Sequence, residues 1–175
     1  MSILPYPDRL TAFARRIGRT LLPGSCLLCG TDSPDDLLCL DCRADLPSLP
    51  SARCPLCTDQ PTHGERCGAC LKDPPHFDRT IAAFTYDFPL DRIVHALKYG
   101  HQLAVANWCA QQLAPRVDSA ALDCIIPLPL HPERLRQRGF NQSGEIAKRL
   151  ARASGLPIAH NSLLRTRSCR PSTPV

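Results

Sequence analysis

Cys26-Leu-Leu-Cys29, Cys39-Leu-Asp-Cys42, Cys54-Pro-Leu-Cys57 and Cys67-Gly-Ala-Cys70 are four Cys-x-x-Cys pairs that use eight of the chain's eleven cysteines. Nine residues separate the first pair from the second, and nine separate the third from the fourth. A shift of 28 positions carries the first four cysteines onto the second four, so the segment is an internal repeat. Two such pairs bring four thiolates to the corners of one tetrahedron, with metal–sulfur distances of about 2.3 Å for zinc. A filled tetrahedron leaves no position open for chemistry, so the metal's task is to fold the segment. The expected cofactors are two structural zinc ions. Iron or an iron–sulfur cluster would use the same ligand type. Pairing within each repeat is the simplest assignment, and interleaving of the two repeats stays open. His63, between the third and fourth pairs, reads as a solvated loop residue, because four cysteines already complete the site.

The residues around the cysteines explain the need for metal. Positions 23–78 are rich in Pro, Asp, Gly and Ser and poor in large apolar side chains. Such a segment buries too little surface to offset its chain entropy, and metal-binding free energy then becomes folding free energy. A disulfide framework would need an oxidising compartment, and the sequence offers nothing that directs export. Asp8, Arg9, Arg15, Arg16 and Arg19 interrupt any secretory core, and no apolar run approaches the roughly 20 residues of a membrane span. The chain reads as cytoplasmic. Residues 8–22 read as an amphipathic helix through Leu10, Phe13, Ile17 and Leu21. Cys109 and Cys124, each flanked by apolar residues, read as small buried side chains, and Cys169 lies outside the repeat.

Charge divides the chain. Through position 130 there are 12 Lys and Arg against 14 Asp and Glu, or −2; from His131 onward there are nine against two, or +7. Each zinc with its four thiolates adds about −2 to the front. An acidic front and a basic rear favour phosphate-bearing partners for the rear, small or polymeric. An aromatic content of 5% offers no evident platform for stacking bases.

Beyond the cysteines the pattern alternates. Arg79–Tyr86 and Leu122–Ile126 read as strands; Asp91–Lys98, Gln102–Ala114 and Asn141–Ser154 read as helices, the last stopped by Gly155. Strands spaced by helices predict a parallel sheet. Within Asp123–Gln142 a strand empties into a rigid Pro127-Leu128-Pro129 loop. Arg134, Arg136 and Arg138 follow, then a helix opening at Asn141-Gln142. Guanidinium forks beside a helix N-terminus would form an anion cradle, and an ordinary charged loop with a polar helix cap is the alternative reading of the same residues.

The order of these motifs resembles the ComF family: four Cys-x-x-Cys pairs, then Ala-Leu-Lys-Tyr-Gly (96–100), Ile-Pro-Leu-Pro-Leu-His-Pro (126–132) and Arg-Gly-Phe-Asn-Gln (138–142). The resemblance spans most of residues 20–165. It implies a double zinc ribbon (23–75) followed by an α/β type I phosphoribosyltransferase-like domain with a parallel sheet (76–165). Outside it, the N-terminal amphipathic helix (1–22) rests on periodicity, and the proline-rich stretch 166–175 reads as an irregular tail unlike the family continuation. The resemblance further implies a link to natural competence and DNA uptake, or to phosphoribosyl metabolism. Partners would be phosphoribosyl pyrophosphate in full-length relatives, single-stranded DNA or DNA-uptake machinery, with magnesium only at a complete transferase site. Phosphate or pyrophosphate contacts are implied for Lys98, Pro127, Leu128, Pro129, Arg134, Arg138, Asn141 and Gln142. The family's acidic pair followed by a Thr-Gly-rich loop is missing, since the single Asp-Asp pair, Asp35-Asp36, lies between zinc ligands. The expected domain is therefore incomplete, with an exposed sheet edge, in a truncated or frameshifted chain without competent transferase activity. Two other readings accompany this one: a zinc-ribbon module that binds nucleic acid or protein, and a non-functional fragment.

Overall fold

A Cys-x-x-Cys turn must reverse the chain within a few residues so that both sulfurs face one point, and the repeat does this twice in the same way. The computed structural model describes residues 24–34, 36–61, 64–160 and 162–167. The expected helix at 8–22, His63, Cys169 and positions 168–175 of the tail lie outside these residues. Two compact units divide the chain, Met1–Asp45 and Leu46–Val175.

In the first unit, Cys26 N–H donates to the Thr31 carbonyl (2.8 Å) and Gly30 N–H to the Cys26 carbonyl (2.9 Å), closing the turn. Gly30 takes φ +78°, a left-handed conformation open to glycine without steric cost. Leu27 N–H donates to Leu37 O (2.9 Å) and Ser33 N–H to Gly24 O (2.7 Å), and Ser25 and Asp32 form an antiparallel bridge. A Cβ on Gly24 would meet the Ser33 carbonyl at 2.6 Å, so only glycine lets these two stretches approach. The second cysteine pair then opens a short helix, α1 (Leu40–Ala44), with Cys39 as its N-cap. Leu38 is fully buried beside it, and Arg43 forms an ion pair with Asp36.

The second unit begins with the matching turn. Cys54 N–H donates to Asp59 O (2.8 Å) and Thr58 N–H to Cys54 O (2.9 Å), followed by α2 (Gly68–Lys72) with Cys67 as N-cap. Every one of these features sits 28 residues after its counterpart. Among the described residues four α-helices follow, α3 (Leu90–Tyr99), α4 (Leu103–Leu113), α5 (Pro132–Arg138) and α6 (Gln142–Ser154), with two 3-10 turns, Ala114–Arg116 and Ser119–Ala121, between α4 and α5. α3 buries Ile93 and Leu97, one turn apart on one face. α4 buries Val105, Ala106, Trp108 and Ala110 and packs chiefly on α6, where Ala147 is buried. Phe84 stacks on Trp108 with ring centroids 5.7 Å apart, pinning the segment before α3 to this core. Asn141 caps α6 by accepting from Ser143 N–H (3.1 Å), and Gly155 ends it with φ +76°. The three helices expected from periodicity are therefore α3, α4 and α6.

The expected parallel sheet is corrected: the described residues contain no β-strand, and the region after the cysteines is helical. Arg79–Tyr86 does not pair as a strand. Its backbone donors go to loops instead, Thr80 N–H to Leu56 O (2.6 Å) and Thr85 N–H to Pro47 O (3.0 Å). Leu122–Ile126 contributes one parallel bridge, Ile125 to Ile158, through Ile125 N–H to Pro157 O (2.8 Å) and Ala159 N–H to Ile125 O (3.0 Å). Pro127 and Pro129 remove the next donors in alternate positions, and a ladder cannot extend through them. With no sheet, the α/β phosphoribosyltransferase-like domain and its exposed sheet edge are withdrawn as well.

Candidate metal centres

Each repeat gathers its own four sulfurs. Cys26, Cys29, Cys39 and Cys42 form one cluster, and Cys54, Cys57, Cys67 and Cys70 the other, with all ligand atoms in a cluster within 4.8 Å of one another. The repeats do not interleave. Tetrahedral sulfurs at about 2.3 Å from zinc stand about 3.8 Å apart along each edge. Cys29 Sγ lies 3.7 Å from Cys39 Sγ, and Cys57 Sγ lies 3.4 Å from Cys67 Sγ. These separations match a tetrahedron around a single ion and are too long for covalent sulfur–sulfur bonds. The donor set and its spacing fit two structural zinc sites.

Electrostatics agree with this reading. Burial pushes the Cys26 thiol up, yet the N–H groups of Cys29, Cys39 and Leu28 aimed at its sulfur prevail and lower its pKa to about 6. At Cys54 the N–H groups of Cys57 and Cys67, opposed by burial and aided by Leu56, also bring the value to about 6. The donors occupy the same repeat positions in both clusters. At the other end of each cluster the trend reverses. Burial and then the sulfurs of Cys57, Cys67 and Cys54 push Cys70 up to about 12, and Cys42 is raised by the Cys29 sulfur, then by burial. Four sulfurs in so small a space cannot all carry charge unless a cation joins them. Zinc supplies that charge, and four thiolates complete its coordination with none left for substrate.

Residues 17–71 match the double zinc ribbon domain.

The chain is also 25% identical over 134 residues to "Competence protein ComFC" of Bacillus subtilis (strain 168), an alignment covering 71% of this chain and 56% of that protein. The chain thus spans little more than half the length of this curated relative. No solved structure matches it. The matched domain is the ribbon, and the region after it is helical. These findings overturn the phosphoribosyltransferase-like reading and leave the associations with competence and DNA uptake without support here. Nothing in the fold speaks for the expected truncation or frameshift.

The two ribbons of the double zinc ribbon differ in cover. In the first, Cys26 is buried, Cys39 and Cys42 are half-buried and Cys29 is exposed. In the second, Cys54, Cys67 and Cys70 are all buried, with Leu56 and Cys57 packed against them. They also differ in backbone bonding. Pro55 and Pro61 stand where the first ribbon has Leu27 and Ser33, so the two N–H groups that brace the first ribbon do not exist in the second. The Leu56 carbonyl instead accepts from Thr80, which ties the second ribbon to the segment leading into α3. Thr58 stands where the first ribbon has Gly30 and adopts φ +64°, a left-handed conformation costly for a β-branched residue.

Downstream of the ribbons, the residues singled out from sequence fall into two places. Pro127, Pro129 and Asn141 line a cavity of about 340 Å³ with Phe140, Lys148 and His160. Asn141 Nδ2 donates to Leu128 O (2.9 Å), which fixes the proline loop against the start of α6. Arg138 donates to Gln142 Oε1 (2.6 Å), and its guanidinium carbon sits 5.3 Å from the Tyr99 ring centroid. Lys98 Nζ lies 5.9 Å from the Tyr86 ring centroid. Arg134 is half-buried on α5. Arg138 thus lies between the Tyr99 ring and Gln142 at the start of α6, and neither it nor Arg134 nor Arg136 lines the cavity. Sequence reasoning missed the aromatic partners, Tyr86, Tyr99, His95, His101 and Phe140. His95 meets Tyr99 at 4.6 Å and His101 meets Phe140 at 5.8 Å between ring centroids. Tyr99 and Lys98 lie within the Ala-Leu-Lys-Tyr-Gly motif, and Phe140 lies within Arg-Gly-Phe-Asn-Gln; that adjacency was the available signal.

Cys109 is half-buried, and burial pushes its thiol up to about 11, in keeping with a packing role. No helix among the described residues is long and apolar enough to cross a membrane.

Proposed function

We propose that this chain is a ComF-like double zinc-ribbon protein that acts as a nucleic-acid-binding module, with single-stranded nucleic acid as the ligand of its helical unit. Metal centres filled by four cysteines offer no open coordination position, so the metals serve shape and not chemistry. The observation that carries the nucleic-acid reading is the pairing of exposed tyrosines with basic groups. Tyr86 is 63% exposed beside Lys98, and Tyr99 is 53% exposed beside Arg138. An aromatic face stacks on any base, and a neighbouring cation serves the adjacent phosphate. Lys98, Arg134 and Arg138 are the phosphate contacts of this reading, and the +7 balance from His131 onward supplies the long-range attraction. Eight cysteines kept as metal thiolates favour a reducing compartment, and with it a cytoplasmic location.

Fluorescence anisotropy of a labelled oligothymidylate, titrated with the zinc-loaded full chain, tests this reading. Affinity should fall steeply between about 50 and 200 mM salt as counterion release weakens. Tyr99→Ala should cost about 1–3 kcal/mol of binding, the usual worth of one stacked base. Arg138→Ala should flatten the salt slope by about one. A salt-independent isotherm, or both variants binding like the parent, would remove the proposal.

A further inference from the structure

We propose that the first zinc cluster is a site of oxidative modification by peroxides, attacked at Cys29 and resolved by Cys39, while the second cluster is shielded from the same reagent. The inference concerns the ribbons alone and does not depend on the nucleic-acid reading. Both clusters present four thiolates, and the same turn places them. What separates them is access. A peroxide must bring its oxygen into line with a sulfur, and thiolates bound to zinc keep a nucleophilic lone pair. In the first cluster Cys29 is an exposed residue whose sulfur is 3.3 Å from the Thr31 hydroxyl, and among the described residues no apolar side chain is packed against it as Leu56 is in the second. In the second, three of the four ligands are buried and Leu56 packs over them. Attack there needs local opening of the ribbon, and attack at Cys29 needs none.

The geometry also supplies the second step. Cys29 sulfur attacks the peroxide, the O–O bond breaks, and one oxygen stays on sulfur as a sulfenic acid while the other leaves as alcohol or water. Cys39 Sγ, 3.7 Å away, then attacks the Cys29 sulfur and expels the hydroxyl as water. In sum, one zinc held by four thiolates, with its charge of about −2, one peroxide ROOH and two protons give one disulfide, two free thiolates, Zn2+, ROH and water. Two electrons leave the two sulfurs and reduce the O–O bond. With half its ligands gone the first cluster releases its ion.

The experiment treats zinc-loaded full-length chain with hydrogen peroxide in the presence of a chromogenic zinc chelator. N-ethylmaleimide trapping and peptide mapping follow at each time point. Expected is release of one zinc per chain in a fast phase, on the order of tenfold ahead of the second. A Cys29–Cys39 disulfide should appear in step with the fast phase, Cys54, Cys57, Cys67 and Cys70 should remain reduced, and a dithiol with added zinc should restore the starting state. Release of both ions in one phase, earlier oxidation of the second cluster, or no release at all would each overturn the proposal.

Discussion

The two ribbons share a plan and solve it with different means. Both place a buried first cysteine under three backbone N–H groups, and both start a short helix from the third cysteine. The first ribbon closes itself: Leu27 and Ser33 donate across the hairpin, Gly24 permits the close approach, and Gly30 turns the corner without strain. The second has Pro55, Pro61, Ala52 and Thr58 at those four places, so it cannot close in the same manner. It relies on burial of its ligands and on Thr80 of the following segment. One ligand pattern can thus be held by backbone hydrogen bonds or by neighbouring chain, and the substitutions around the cysteines decide which.

The largest test of this contrast removes a ligand. Structural zinc is worth about 10–16 kcal/mol in small peptides at neutral pH, so a cluster with three ligands should release its ion and its surroundings should unfold. Cys39→Ser should lower zinc content to one ion per chain and raise amide exchange within 24–45 alone. Cys67→Ser should also leave one ion, but exchange should rise through 46–86, because the Leu56–Thr80 and Pro47–Thr85 bonds are lost with the ribbon. Identical exchange maps for the two variants would break the comparison.

Acid should not distinguish the ribbons, and this sharpens the contrast from the other side. Cys26 and Cys54 both have folded-state pKa values lowered to about 6, from an ordinary 9.0. The stabilisation their thiolates give is complete above 9.0 and is lost as pH falls through about 6. Zinc release followed by a chelator dye should therefore show both ions leaving in one window, below that value, because a bound cation holds its thiolates ionised. Two transitions more than a pH unit apart would mean that burial, and not the shared N–H donors, governs proton competition.

Smaller effects separate the turns. Gly30→Thr should destabilise the first ribbon by about 1–2 kcal/mol, the usual cost of a left-handed residue with a Cβ. Thr58→Gly should stabilise the second ribbon by up to about 1 kcal/mol, since relief of the turn is partly offset by the freer unfolded chain. Guanidine titrations monitored by zinc release would read both. A destabilising Thr58→Gly would show that the Thr58 hydroxyl, 2.6 Å from the Cys57 carbonyl, outweighs the backbone strain.

Much of the front was legible because a ligand's place is fixed by spacing: eight cysteines repeating every 28 residues admit few arrangements. The helices were legible for a similar reason, with Ile93 and Leu97 one turn apart and Gly155 closing α6. The sheet was misread because alternation over Arg79–Tyr86 is too short to tell a strand from an extended linker. Its donors serve Leu56 and Pro47, long-range partners that no local pattern encodes. The unequal cover of the two clusters was not legible either, since burial depends on what packs over each ribbon. The aromatic–cation pairs escaped for a different reason: an average aromatic content of 5% hides the gathering of several rings near one end of α3.

Native mass spectrometry of purified, untagged chain, before and after a strong chelator, tests the central claim most directly. The fold described here predicts a mass increment of two zinc ions, lost together with the compact charge-state distribution when the chelator is added. A chain that carries neither zinc nor iron, or that keeps its compact distribution after the metal is stripped, would contradict it.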